Sequence, residues 1–331
     1  SGSRDRAWLD RVMRCALTGA TGFVGGALAR QLRSRGDEVV ALVRDPGRAT
    51  YLSELGVQLV TGDLADLDSL DRLCAQADAL FHVAGWYKVG QRDPSVGTRV
   101  NVDGTRNVLT AARRAGVPRT VYTSTLAVNS DTRGAVHDET YRHHGPYVSQ
   151  YDRTKAEAHA VAEQFAAAGL PLVIAQPGLV YGPGDTSQTG HLVAQVVRGG
   201  RPQVPSGGLV CWAHVDDVAA GHVLALERGR DGEAYMLAGP ALSLAEGLRL
   251  VASIAGTPGP IVVPTALVRA AARVFGVVER VVPLPATLTT EAMRAAVATY
   301  IGSAAKAERE LGWTVRPLEA GLRETVEVLR R

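Results

Sequence analysis

The chain of 331 residues is 46% hydrophobic and 21% charged, and its 36 Lys plus Arg against 33 Asp plus Glu leave a net charge of +3. It is long enough for one large core with a smaller attached unit, and its scattered basic residues argue against nucleic-acid or membrane partners. Cysteines at 15, 74 and 211 share no metal-ligand spacing; no metal and a reducing, cytoplasmic setting are the expectation, and no apolar run reaches transmembrane length.

Ser1-Gly2-Ser3 reads as an expression remnant and Met13 as a natural start, so the fold argument begins there. Cys15-Ala16-Leu17 runs into Thr18-Gly19-Ala20-Thr21-Gly22-Phe23-Val24-Gly25, after which Ala27, Leu28, Ala29 and Leu32 recur at helical spacing. That is a strand, a tight turn and a helix start: Gly19 turns the chain, Gly22 admits a pyrophosphate, and Gly25 lets helix pack on strand. A diphosphate would rest on the helix's unpaired N–H groups, which makes Gly19, Thr21, Gly22, Phe23 and Val24 candidate cofactor contacts.

Glu38 to Val43 is a second strand, closed by Arg44-Asp45-Pro46. About 20 residues past the glycines, an acidic residue selects NAD and an arginine accommodates a 2′-phosphate. Arg44, with Arg48 as a second contact, favours NADP; Asp45 leaves NAD open. Val57 to Val60 forms a third strand ending at Gly62-Asp63-Leu64, and leucines 67, 70 and 73 mark a short amphipathic helix. A fourth strand runs from Ala79 to Gly85, with His82 expected to be a bonded core residue. Trp86, Tyr87 and Lys88 follow on a loop where a substrate wall would lie. Asn101 to Thr105 leads into a helix through Ala115, and Thr120 to Thr125 is a fifth strand tipped by three hydroxyls. Strand and helix alternate without hairpin signals, so the fold class is α/β with a doubly wound parallel sheet and ligands at the strands' carboxyl ends.

Asn129 to Gln150 is aperiodic and reads as a long, lid-like loop with solvated His137, His143 and His144. An alanine-rich helix from Tyr151 to Ala168 and a sixth strand from Pro171 to Pro177 come next. After Tyr181-Gly182-Pro183-Gly184-Asp185 the elements shorten, so residues 13–180 are expected to be the dinucleotide-binding domain and 181–331 a smaller, mostly helical substrate domain. Residues 209–227 return to the first unit: Cys211 to Val218 is a strand entering an Asp-capped helix. Leu242 to Ala255, Thr265 to Phe275 and Pro317 to Leu329 carry further helical patterns.

Tyr151 and Lys155, four residues apart, share one helix face. A phenol titrates near 10 and works as an acid or base only if a positive charge stabilises its anion; Lys155 is expected to be that charge. Thr125, at the end of the fifth strand, is the candidate hydroxyl for orienting a substrate oxygen, with Ser124 the second choice; strand alternation puts Thr123 and Thr125 on one face. In reduction, Tyr151 would supply a proton to a carbonyl oxygen while Thr125 donates a hydrogen bond.

Thr18-Gly19-x-x-Gly22-x-x-Gly25, Gly62-Asp63-Leu64, His82-Val83-Ala84-Gly85, Asn101-Val102-x-Gly104-Thr105, Thr123-Ser124-Thr125, Tyr151-x-x-x-Lys155 and Pro177-x-x-x-Tyr181-Gly182-Pro183 occur in an order that resembles extended short-chain dehydrogenases/reductases. Val43-Arg44-Asp45-Pro46 resembles the dihydroflavonol reductase branch, and Trp212-Ala213-His214-Val215-Asp216-Asp217 is similar to that branch and to hopanoid-associated sugar epimerases. The resemblance implies a Rossmann domain in which Asp63 and Leu64 hold adenine, Ala84 and Gly85 line the cofactor, and Lys155 also bonds the nicotinamide ribose. Thr123, Tyr151, Pro177 and Val180 are further implied cofactor contacts, and Trp86, Tyr87, Ser124 and His214 are candidate substrate contacts. Thr125 stands where serine is commoner and Gly85 where alanine is usual. The leading expectation is an NADP-dependent reductase of a ketone or aldehyde on a small molecule, and a homodimer through the alanine-rich helices. The alternatives are a nucleotide-sugar epimerase or dehydratase with tightly held NAD, which needs converging arginines such as Arg198, Arg201, Arg228 and Arg230, and a binder without catalysis, which the Thr125, Tyr151 and Lys155 set opposes.

Overall fold

The computed structural model describes residues 12–90, 93–279, 285 and 288–331; Ser1 to Ser3, read above as an expression remnant, lie outside the described residues. The chain runs β1 (Arg14–Thr18), α1 (Phe23–Ser34), β2 (Glu38–Val43), α2 (Thr50–Glu54), β3 (Gln58–Thr61), α3 (Leu67–Cys74) and β4 (Ala79–His82). Then α4 (Ser95–Gly97) continues through a π turn at Thr98–Asp103 into α5 (Gly104–Ala115), followed by β5 (Thr120–Thr123), α6 (Gln150–Ala167), β6 (Leu172–Pro177) and β7 (Leu179–Tyr181). The remainder comprises α7 (Gln188–Val197), β8 (Gln203–Pro205), β9 (Leu209–His214), α8 (Val215–Arg228), β10 (Ala234–Leu237), β11 (Ala241–Ser243), α9 (Leu244–Ala255), β12 (Ile261–Val263), α10 (Thr265–Val278), α11 (Thr290–Val297) and α12 (Leu318–Leu329).

Seven strands form one parallel sheet in the order β10-β6-β5-β4-β1-β2-β3. The chain winds outward in one direction from β1 through β2 and β3 and in the other from β4, so the switch point lies between β1 and β4. Thr18 stands opposite His82 in that pair. Each face of the sheet has its own core. Leu28 and Leu32 of α1 and Val218 and Leu226 of α8 pack on one side with Leu17 and Val173, whereas Leu70 of α3, Leu109 of α5 and Val161 of α6 cover the other with Leu80 and Ile174. Apolar residues on both faces explain why these strands read as continuous hydrophobic runs. A third core joins α7, α9 and α12 around Trp212.

The sheet draws on more of the later chain than a boundary at residue 180 anticipates. β10 pairs with β6, and Ile301, Ala304, Ala307, Leu311 and Trp313 belong to the α1 and α8 core. Three further expectations are corrected. The fifth strand stops at Thr123, because Thr125 caps a 3-10 turn at Leu126–Asn129 by accepting from Ala127 N. The cap of α8 is His214, whose ring accepts from Asp216 N, while Asp216 and Asp217 occupy the first turn where the helix dipole favours negative charge. His137 is anchored rather than solvated: its backbone bridges to Gly302 and its ring stacks on Tyr141 at 3.7 Å. Among the described residues no helix is long and apolar enough to cross a membrane.

Candidate active site

The glycine turn is built for close approach. Gly19 sits at φ 79°, and a Cβ there would lie 2.6 Å from Ala84 N. A Cβ at Gly25 would lie 2.1 Å from the Gly19 carbonyl oxygen, so α1 touches the turn backbone directly. Gly22 is the N-cap of α1 and offers no side chain to its first N–H groups. An uncapped helix start behind a cradle that any side chain would fill fits a dinucleotide's diphosphate. Thr21 is exposed at this mouth, and Phe23 and Val24 pack back against the core.

Arg44 is exposed at the end of β2, and among the described residues its guanidinium has no partner. Asp45 is committed elsewhere, its carboxylate accepting from Gly47 N at 3.0 Å. Asp63 is exposed and accepts from Ala65 N at 3.1 Å, while Leu64 packs against Gly104, where a Cβ would meet Leu64 Cδ1 at 2.9 Å. Arg44 and Asp63 thus follow the carboxyl ends of the neighbouring strands β2 and β3. Ala84 follows β4 and donates its N–H to Thr18 Oγ1 at 3.3 Å. Gly85 is exposed, and a Cβ there would meet Asn101 Oδ1 at 3.4 Å and Lys155 Nζ at 3.8 Å. Pro177 ends β6, and Val180 packs on the core from β7.

Ser149 caps α6 by accepting from Asp152 N, which puts Tyr151 in the helix's first turn. The Tyr151 phenol faces Thr125, whose hydroxyl accepts from Ala127 N at 3.2 Å. Burial pushes the phenol up to about 12, and Thr125 opposes that rise. Lys155, one turn on, is 6% exposed and is brought down to about 7 by burial. Its ammonium donates to the Thr123 carbonyl at 2.8 Å and to Tyr122 Oη at 3.2 Å. The desolvation of a buried phenol outweighs whatever field Lys155 supplies, which leaves Tyr151 the protonated partner at neutral pH.

Behind Lys155 runs a buried polar chain that sequence reading missed. Tyr122 faces Thr105, Thr105 Oγ1 lies 3.0 Å from His82 Nε2, and His82 Nδ1 lies 2.7 Å from Thr18 Oγ1. His82, fully buried, is held neutral, its pKa brought down to about 3 by burial first and by Lys155 second. The chain links the lysine to the foot of the glycine turn. Tyr122→Phe removes an acceptor from the Lys155 ammonium, so its pKa falls further. The alkaline loss of kcat/KM measured with the cofactor as varied substrate is then expected to move roughly 0.5–1 pH unit lower, since one such bond contributes about 1 kcal/mol. An unchanged profile would mean that Tyr122 does not touch the lysine's charge.

Several candidates lie apart from this cluster. Thr123 and Thr125 do not share a face, because the strand ends between them; Thr123 Oγ1 meets His222 Nε2 at 2.8 Å on the α8 side, and only its carbonyl reaches Lys155. Ser124, 3% exposed, faces α6 and meets His159 Nδ1 at 2.8 Å, so neither the catalytic second choice nor a substrate contact is supported for it. Trp86 is locked by both its N–H and its carbonyl to Asn101, with its ring against Gly97, whereas Tyr87 is 57% exposed on the same loop. His214 is corrected outright: at 0% exposure it packs against Tyr181, Gly182 and Gly321, away from Tyr151. Its ring, Asp216 and Glu324 present ligand atoms within 4.8 Å of one another, but Arg316 already donates to Glu324 at 2.9 Å and fills the role of a cation there.

The missed residues around Tyr151 come from far along the chain. Asp152, 1% exposed, accepts from Ser149 Oγ at 2.7 Å, Tyr300 Oη at 3.1 Å and Ser130 Oγ at 3.4 Å, and burial raises its carboxyl to about 6. Glu291 of α11 accepts from Gln150 N at 2.5 Å and Gly90 N at 3.2 Å, tying the helical C-terminal region to both lips of the crevice.

Comparison with known proteins agrees with this geometry. Residues 15–238 match the model of the "NAD dependent epimerase/dehydratase family". A relative from Synechocystis sp., provisionally named dihydroflavonol 4-reductase, is 37% identical over 265 residues, covering 76% of each chain. The 2-alkyl-3-oxoalkanoate reductase of Stenotrophomonas maltophilia is 35% identical over 252 residues, 71% of each chain. The crystal structure of gox2253 superposes with a TM-score of 0.85 at 32% identity, covering 97% of this chain and 98% of that one. With its glycine turn, seven-stranded parallel sheet and Tyr151-x-x-x-Lys155 helix, the chain belongs to the NAD dependent epimerase/dehydratase family, the extended short-chain dehydrogenases/reductases.

Proposed function

We propose that this protein is an NADPH-dependent carbonyl reductase, and the placement of the Tyr151 phenol beside the Thr125 hydroxyl, with Lys155 one helical turn on, carries the reading. When bound, the nicotinamide ring supplies hydride to a carbonyl carbon or takes it from an alcohol carbon. Tyr151 and Thr125 receive the substrate oxygen together. With its phenol near 12, Tyr151 holds the proton that reduction requires at neutral pH, and Thr125 donates to the developing alkoxide. Proton transfer leaves a phenolate in the first turn of α6, where the helix dipole favours negative charge. Lys155 adds positive potential from the next turn and offers its remaining donor to a ribose hydroxyl.

The relatives named as reductases support this direction of chemistry. The nucleotide-sugar reading is favoured by the family's own name, but three of the four arginines it would use already have partners. Arg228 Nη1 donates to the Leu311 carbonyl at 2.8 Å, Arg230 pairs with Glu310 at 2.9 Å, and Arg201 Nε donates to Gly259 O at 3.4 Å. Arg44, unpaired beside a committed Asp45, favours the 2′-phosphate of NADP. Fluorescence titration tests this: Arg44→Ser is expected to weaken NADPH binding roughly 10–100-fold and leave NADH within a factor of about two, as expected for one lost charge-assisted phosphate contact. Equal losses for both cofactors, or NAD retained through purification, would favour the epimerase reading instead.

A further inference from the structure

A cavity of about 420 Å³ has Asp131, Arg133, Thr265, Arg269 and Thr299 in its lining. Its volume suits the end of a small molecule. Two arginines, one from the loop after β5 and one from α10, project at it, and among the described residues neither guanidinium has an ion-pair or hydrogen-bond partner. The single carboxylate in the lining is committed inward: Asp131 Oδ1 accepts from Arg133 N and from Thr299 N, both at 3.0 Å. The lining therefore carries an excess of unneutralised positive charge.

The turn that carries Arg133 is held under strain. Ser130 at φ 50° and Arg133 at φ 53° are two of three non-glycine residues with left-handed backbone among the described residues. Such conformations persist only where the surroundings enforce them, and they cluster at ligand clamps. Here the enforcement is visible: Thr132 N and Thr132 Oγ1 both donate to the Thr299 carbonyl, at 2.8 and 3.1 Å. The same two segments reach the chemistry, since Ser130 and Tyr300 both bond Asp152, the neighbour of Tyr151. Asp131 and Thr299, one residue removed on each segment, line the cavity. One wall of the cavity and the surroundings of Asp152 are thus built from the same two segments.

We propose that Arg133 and Arg269 clamp a carboxylate or phosphate at the far end of the carbonyl substrate, making this enzyme selective for acidic ketones or aldehydes. The proposal rests on the reductase reading above. Guanidinium groups suit both anions, which they grip through paired N–H donors. The experiment compares 9-oxononanoic acid with its methyl ester, NADPH being saturating, in wild type, Arg133→Gln, Arg269→Gln and the double variant. Wild type is expected to favour the acid at least tenfold in kcat/KM, through KM, and the double variant to treat acid and ester alike while its ester rate stays within about twofold of wild type. Equal rates on acid and ester in wild type, or a preference that survives both substitutions, overturn the clamp and leave the reductase standing.

If neither compound is reduced, the reductase reading fails by itself, and binding decides the clamp. Calorimetry of 9-oxononanoic acid and of inorganic phosphate is then run on protein saturated with NADP, which blocks the glycine turn as a competing anion site. Loss of binding at least tenfold in the double variant supports the clamp, and no measurable binding in wild type, or binding unchanged by the substitutions, rejects it. Phosphate bound without the acid would make the cavity a free-phosphate site and also rejects the substrate clamp.

Discussion

Tyr151→Phe is expected to lower kcat for carbonyl reduction by roughly 10²–10⁴-fold, the range for losing a positioned general acid. The substitution removes one oxygen from a half-buried ring whose hydroxyl meets Thr125. It leaves the ring's packing, the Ser149 cap and the Lys155 contacts in place. NADPH affinity should therefore change by less than about threefold, because the cofactor's hold comes mainly from the glycine turn and the β2 rim. Steady-state rates beside a cofactor titration separate the two quantities. A Phe variant with near wild-type turnover would remove Tyr151 from the chemistry; one that loses turnover and cofactor binding together would mean that the hydroxyl holds the cofactor as well as serving as the acid.

Gly25→Ala should be the most damaging single methyl in the cofactor half of the molecule. The added Cβ would sit 2.1 Å from Gly19 O, 2.6 Å from Gly19 C and 3.0 Å from Ala20 N. All three are backbone, so no side chain can rotate away. Relief requires α1 to lift from β1, and α1 is pinned by Leu28 and Leu32 in the same core as α8. Overpacking of this kind costs about 3 kcal/mol or more, which for a chain this long means a Tm lower by roughly 5 °C or more. Because the displaced atoms belong to the turn proposed to hold the diphosphate, NADPH affinity is expected to fall at least about tenfold as well. A thermal scan with and without NADPH reads both effects, and an unshifted midpoint with normal ligand stabilisation would show that the turn has slack that the close contact conceals.

Whether a residue was legible in the sequence follows how far its partner lies along the chain. Gly19, Gly22 and Gly25 announce themselves because a strand, a turn and a helix start are local events with fixed offsets. Tyr151 and Lys155 are legible for the same reason, their spacing being one helical turn. The alternation rule failed at Thr123 and Thr125 since it assumes that the strand continues; the backbone instead leaves the sheet to make the 3-10 turn, and nothing local marks that exit. Tyr122 hid as an apolar strand residue, its hydroxyl given meaning only by a lysine 33 positions later. Asp152 and Tyr300 are 148 positions apart, and Gln150 and Glu291 are 141 apart, so no spacing rule could join them. His214 sits in a recognisable motif, yet its burial against Tyr181 and Gly321 depends on α12 folding back.

The place of β10 has a consequence for how the molecule is made. β6, buried along its whole length, has β5 on one side, and its other edge stays open until Ala234–Leu237 arrives. As the chain leaves the ribosome, six strands and their helices emerge first, with an apolar, unpaired strand edge and no α8 to cover that face. Such edges template pairing between chains. The first 180 residues should therefore behave poorly as a separate fragment, and a chain cut after Leu237 should gain far more solubility than one cut after α8, although only nine residues separate Arg228 from Leu237.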